Sequence, residues 1–167
     1  MKMNSRFVLG CAVLFSTLVL SFASVAARAQ RPAPPPTYTN QYFRVAVSPV
    51  QSWRLNCFQE QNFAVTVTNT VSGSLPVTVN LSNIFGEAYS EGGVDTYNTM
   101  NSYVNVDYST SSVTVSYGSP QRATLYLTDN CNANNIALGG WVQVYGTALV
   151  NGAPVGATAN LYVLETN

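Results

Sequence analysis

An Asn151-Gly152 dipeptide between two long alternating runs, Trp141 to Val150 and Ala153 to Leu164, constrains this chain more than any other feature. Asn-Gly is the strongest short-range hairpin signal, because both residues tolerate the positive φ of a two-residue type I′ turn. That turn sets a register. Val142 then faces Leu161, Val144 faces Ala159, and Gly146 faces Ala157. On the other side Trp141 opposes Tyr162, Gln143 opposes Asn160, and Tyr145 opposes Thr158. One face is apolar throughout, and the other carries aromatic rings and amides. A slip of one residue would carry the apolar set to the wrong face, so the register specifies itself.

The same period of two recurs along the chain. Phe63, Val65 and Val67 alternate with Ala64, Thr66 and Thr68, and after a break containing Gly73, Val77, Val79 and Leu81 alternate with Thr78 and Asn80. These runs are expected to be a pair of strands with one buried face, which a second sheet must cover. Phe43, Val45 and Val47 form an earlier strand ending at Pro49. Val104–Tyr108, Val113–Tyr117 and Ala123–Thr128 follow the same rule. The stretch from Asn83 to Ser102, with Gly86, Gly92 and Gly93, is irregular and reads as a loop or a weak edge strand. The expectation is an all-β, two-sheet antiparallel sandwich of seven or eight strands.

The N-terminus has a different character. Lys2 and Arg6 precede an apolar run from Phe7 to Phe22, and Ala27-Arg28-Ala29 supplies a small-x-small cleavage pattern. Residues 1–29 are expected to be a signal peptide, with the exported chain beginning at Gln30. The alternative is an uncleaved anchor, since the run approaches the ~20 residues of a membrane span. Residues 30–41 hold Pro32, Pro34, Pro35 and Pro36 and read as an extended spacer or a loose terminus. Residues 42–167 are the expected sandwich. A chain of 167 residues suits one domain.

Charge excludes several classes of function. Only 8% of residues are charged, against roughly 25% in an average soluble protein. Beyond residue 29 there are four arginines (Arg31, Arg44, Arg54 and Arg122) against seven carboxylates, a net charge of −3 with no Lys and no His. Four scattered arginines make neither a phosphate-binding stripe nor a polybasic membrane patch. Neither nucleic acid nor, after signal cleavage, membrane is an expected partner. With no His, a His-based nucleophile is impossible, and Cys57 and Cys131 alone cannot complete a zinc site. Those two cysteines read as one disulfide in an exported chain, with free thiols or a metal pair as alternatives. Glu87, Glu91 and Asp95 form an acidic loop, read as solvated, with a carboxylate pair or a calcium site as sharper alternatives. Asp129, Asn130, Asn132 and Asn134 are a fainter oxygen-rich loop. No cofactor is expected.

The runs Val65-Thr66-Val67-Thr68-Asn69-Thr70 and Pro76-Val77-Thr78-Val79, with the closing Gly140-to-Leu164 hairpin, resemble the exported Ig-like β-sandwich modules of bacterial surface proteins and glycoside hydrolases. The resemblance implies an Ig-like fold and a secreted or cell-surface setting. In such a sandwich the strand at Phe63 and the strand ending at Asp129 are antiparallel neighbours, which brings Cys57 beside Cys131. The candidate ligand or partner face is Trp141, Gln143, Tyr145, Asn160 and Tyr162, with the Trp141–Tyr162 pair expected to be at least partly exposed. Exposed rings stack on sugars or anchor a protein, and they also serve simple cross-strand stabilisation. The first functional reading is a non-enzymatic exported module for surface structure, adhesion or filament assembly, its partner a protein, either itself or a surface protein. Its proline-spaced N-terminal strand could leave its own sheet and pair with a neighbouring subunit. The second is a carbohydrate-binding module, its partner a glycan. A secreted carboxylate enzyme is a distant third.

Overall fold

The computed structural model describes residues 33–52, 55–90, 93–131 and 138–165. Its strands are β1 (Phe43–Ser48), β2 (Glu60–Asn69), β3 (Val77–Ser90), β4 (Gly93–Thr99), β5 (Val104–Tyr108), β6 (Ser112–Val115), β7 (Gln121–Asp129), β8 (Leu138–Val150) and β9 (Ala153–Glu165). One sheet has the order β1-β2-β7-β5. The other has the order β4-β3-β8-β9, with β6 beside the start of β3. Every named pairing is antiparallel. The fold is an Ig-like β-sandwich of nine strands among the described residues.

Two expectations need correction. The runs at Phe63 and Val77 are not paired with each other. β2 bonds to β1 and β7, whereas β3 lies in the opposite sheet with β8. Alternation shows that a strand has a buried face, but the sheet it joins depends on where the connecting loop carries it. The irregular stretch after Asn83 does hold an edge strand, β4, as expected, but its first part is neither loop nor edge: it continues β3 to Ser90 between β4 and β8. Gly86 lies in a bulge, where Gly86 and Glu87 together oppose Trp141 between the pairs Phe85–Val142 and Ala88–Gly140.

The core follows from the period of two. Phe63, Val65 and Val67 of β2, Ala123, Leu125 and Leu127 of β7, and Val142, Val144 and Leu161 of the closing hairpin are all buried. Phe43 and Phe63 are the largest fully buried side chains among the described residues. Gly146 lets the sheets close up. A Cβ there would lie 2.7 Å from Val45 Cγ2 and 2.9 Å from Val79 Cγ1. Asn69 continues the inward face of β2 as a buried polar residue. Its amide donates to Ser74 Oγ (3.0 Å) and its Oδ1 accepts from Val71 N (2.9 Å), which ties down the β2–β3 loop.

The hairpin register is the one that a two-residue turn dictates, Trp141 opposite Tyr162 and Val142 opposite Leu161. Asn151 and Gly152 take φ of 52° and 79°, the left-handed values of a type I′ turn. β9 is the edge of its sheet, and two segments from the N-terminal side cover it. Thr158 N donates to Tyr38 O (2.9 Å) and Tyr162 N to Val50 O (3.0 Å). Ser52 N and Leu55 N donate back to Tyr162 O and Leu164 O. The chain therefore touches β9, enters the other sheet as β1, and returns to β9. This shields an edge that would otherwise offer free N–H and C=O groups.

Candidate functional site

The five residues of the candidate face come together on the outer side of β8 and β9. Trp141 and Tyr162 meet edge to face, with centroids 5.1 Å apart and an interplanar angle of 61°. Their expected exposure is not found. Each is only 8% exposed. The Tyr162 ring leans across the neighbouring strand onto Gly139, where a Cβ would collide with its hydroxyl. Tyr145 likewise leans onto Gly156, whose Cβ would lie 2.7 Å from its hydroxyl oxygen. Each tyrosine fills the space left by a glycine diagonally across the hairpin. On the Tyr162 side the chain from Val50 to Ser52 runs along the strand edge.

The middle of the face is covered by the proline-containing segment before β1. Gln143 Nε2 donates to Pro36 O (2.9 Å) and to Asn160 Oδ1 (2.9 Å). Asn160 Nδ2 donates to Pro35 O (2.7 Å). Further along, Tyr38 N donates to Thr158 Oγ1 (2.8 Å), and Asn40 Nδ2 to Gly156 O (3.0 Å). Proline carbonyls suit this role, because the rings hold the backbone extended and offer no N–H to compete. Gln143 and Thr158 are consequently buried polar residues, both 6% exposed and both hydrogen-bonded.

Sequence reasoning did not single out Thr158, Asn40 or the carbonyls of Pro35 and Pro36 as parts of this face. The alternation does put Thr158 on the same side as Tyr145. Nothing in a proline run says which surface its carbonyls meet.

At one end of the sandwich, Cys57 and Cys131 are joined as a disulfide, with Cα atoms 4.7 Å apart. Glu60 pairs with Thr128, so the cysteines flank the adjoining ends of β2 and β7. Asp129 is fully buried, and its Oδ1 accepts the Cys131 amide, closing the turn into the disulfide. Between Cys57 and β2, Phe58 takes a left-handed φ of 57° and is 75% exposed. Between the sheets, Tyr108 donates its hydroxyl to Ser82 O (2.8 Å), and burial raises its phenol well above the ordinary value.

The acidic side chains Glu87, Glu91 and Asp95, and Asn132 and Asn134, lie outside the described residues, as does the signal segment. Among the described residues no cluster of His, Cys, Asp and Glu is arranged to hold a metal. No described helix is long and apolar enough to cross a membrane.

No known family and no curated protein matches this chain. Solved structures with a similar shape include the ASH/PapD-like domain 7 of human CEP192, at 11% identity and a TM-score of 0.49, covering 83% of this chain and 94% of that one. The CooA pilin subunit of enterotoxigenic Escherichia coli matches at 15% identity and a TM-score of 0.43, covering 75% and 97%. Domains 4 and 5 of the S-layer protein SbsC match at 15% identity and a TM-score of 0.38, covering 81% and 55%. Likeness at this level carries no function across.

Proposed function

We propose that this protein is an exported, non-enzymatic β-sandwich module that builds cell-surface or filament structure through protein–protein contact. The observation that carries this reading is the placement of large exposed apolar side chains at both ends of the sandwich. At the end where β2 begins stand Val50 (62% exposed) and Phe58. At the opposite end stand Leu75 (84%), Leu149 (75%) and Tyr117. Beside Leu75 and Leu149 lies a cavity of about 560 Å³, lined also by Tyr42, Val71 and Pro76. Phe58 stands in the turn closed by Gln59 N donating to Asn56 O (2.8 Å), which leaves its ring projecting into solvent as an anchor. An apolar projection at one end and a hollow of mixed lining, with Ser74, Thr78 and Asn151 beside Leu75 and Leu149, at the other suit a head-to-tail contact, which generates rings or filaments.

The burial of Trp141 and Tyr162 removes the open aromatic stripe on which a carbohydrate-binding reading rested. Residues 1–29 serve, in this proposal, as the export signal. Intact-mass measurement of exported protein is expected to show an N-terminus at Gln30. Retention of Met1 on membrane-bound material overturns that part.

Sedimentation velocity tests the assembly itself. Wild-type protein is expected to form larger species as concentration rises. Phe58→Ser and Leu149→Ser are each expected to reduce the larger species with little change in melting. A wild-type protein that stays monomeric at every concentration overturns the reading.

A further inference from the structure

We propose that the outer face of the β8–β9 hairpin is a docking site for an extended, proline-containing strand, and that in the assembled protein its occupant is residues 33–40 of a second copy. The proposal rests on the assembly reading above and names a contact that the end-to-end surfaces do not supply.

The site is built to read backbone. Gln143 donates one N–H to Asn160 Oδ1 and the other to Pro36 O, and Asn160 donates its own N–H to Pro35 O. Thr158 bonds to Tyr38 twice, its N–H donating to the carbonyl and its hydroxyl accepting the amide. Apart from Asn40, the segment's hydrogen bonds to the face come from main-chain atoms, and the Tyr38 side chain is left 59% exposed. This is recognition of an extended main chain by fixed polar side chains on a sheet.

The segment is also separable from the domain. No residue from 33 to 40 belongs to the hydrophobic core. A groove of about 390 Å³, open to solvent, runs between Tyr38–Asn40, the start of β1 and Ala157–Thr158. Its junction with β1 is a corner held locally, where Asn40 Oδ1 accepts the amides of Tyr42 (2.8 Å) and Phe43 (2.9 Å). Opening at this corner breaks a few hydrogen bonds and leaves β1 in its sheet. An element with few apolar contacts opens at low cost, and an identical segment from another copy restores each bond it leaves. The segment seen on the face demonstrates the chemistry that fits it, which favours a second copy over an unrelated strand.

A mixed-isotope cross-linking experiment tests this. Full-length protein carrying a photo-cross-linking amino acid at Thr37 is prepared in light and heavy forms, mixed at assembly concentration and irradiated. Cross-links from the N-terminal segment to β8–β9 peptides are expected to join light to heavy chains in about half of cases, as random exchange requires. In the Gln143→Ala/Asn160→Ala double variant these mixed cross-links are expected to fall several-fold while the melting transition persists. Same-isotope cross-links alone, in protein that sedimentation shows to be multimeric, overturn the exchange and leave the assembly reading standing. Monomer alone in sedimentation overturns both.

Discussion

The two faces of the β8–β9 hairpin share a backbone and a register, yet they are filled in different ways. The inner face holds Val142, Val144 and Leu161 against the opposing sheet, with Gly146 admitting Val45 and Val79. The outer face holds Trp141 and Tyr162 in an edge-to-face pair, Tyr145 over Gly156, and amides under a proline-containing strand. Sheet-on-sheet packing is repetitive and apolar, so the inner face depends on volume. The proline-containing segment meets the outer face through main-chain hydrogen bonds, so that face depends on them and on rings that fill the gaps between them. A sheet face that opposes no second sheet can therefore still be buried.

Trp141→Ala is the sharpest test of that comparison. A buried indole is expected to cost about 3–5 kcal/mol on truncation. An exposed pair would cost about 0.2–1 kcal/mol. Urea unfolding separates the two, and a loss at the lower value would mean that the outer face is open in solution.

Paired glycine substitutions test the difference in filling. Gly146→Ala drives a Cβ into two β-branched side chains of the packed core, and overpacking of this kind costs about 1–3 kcal/mol. Gly156→Ala meets only the far end of the Tyr145 ring, which can swing away, so it is expected to cost less than its inner counterpart. Equal losses in thermal melts would mean that the outer face is as rigidly packed as the core.

Gly152→Ala probes the turn that sets both faces at once. A side chain at φ +79° is strained by about 1–2 kcal/mol, and stability should fall by that amount with the register unchanged. A change in backbone amide shifts along the whole hairpin would mean instead that the turn alone holds the register.

The smallest effect is at Tyr108, away from the hairpin and serving as its control. Burial raises its pKa, so the folded state favours the neutral phenol. That contribution is complete below the ordinary value of 10.0 and is lost as pH rises from there towards the folded value. Tyr108→Phe is expected to be slightly less stable at neutral pH, through the lost bond to Ser82 O, and to lose less stability than wild type above about pH 10. Parallel alkaline melting curves for the two proteins would contradict this.

Much of this fold is legible in one dimension. Alternation names the inward residues of each strand, and the Asn151-Gly152 turn pairs Trp141 with Tyr162 before any coordinates are known. Both signals are local, since they depend on side chains two apart and on the φ of adjacent residues. Tertiary structure alone decided that β2 and β3 part into opposite sheets, that Gly86 and Glu87 form a bulge opposite Trp141, and that the strand edge at Thr158 and Tyr162 is covered. It alone decided that Pro35 and Pro36 lie on Gln143 and Asn160, more than a hundred residues away. Proline carbonyls are identical in every such segment, and their partner depends on where the whole chain has carried them. The residues of the outer face were therefore readable from the sequence, and their burial was not.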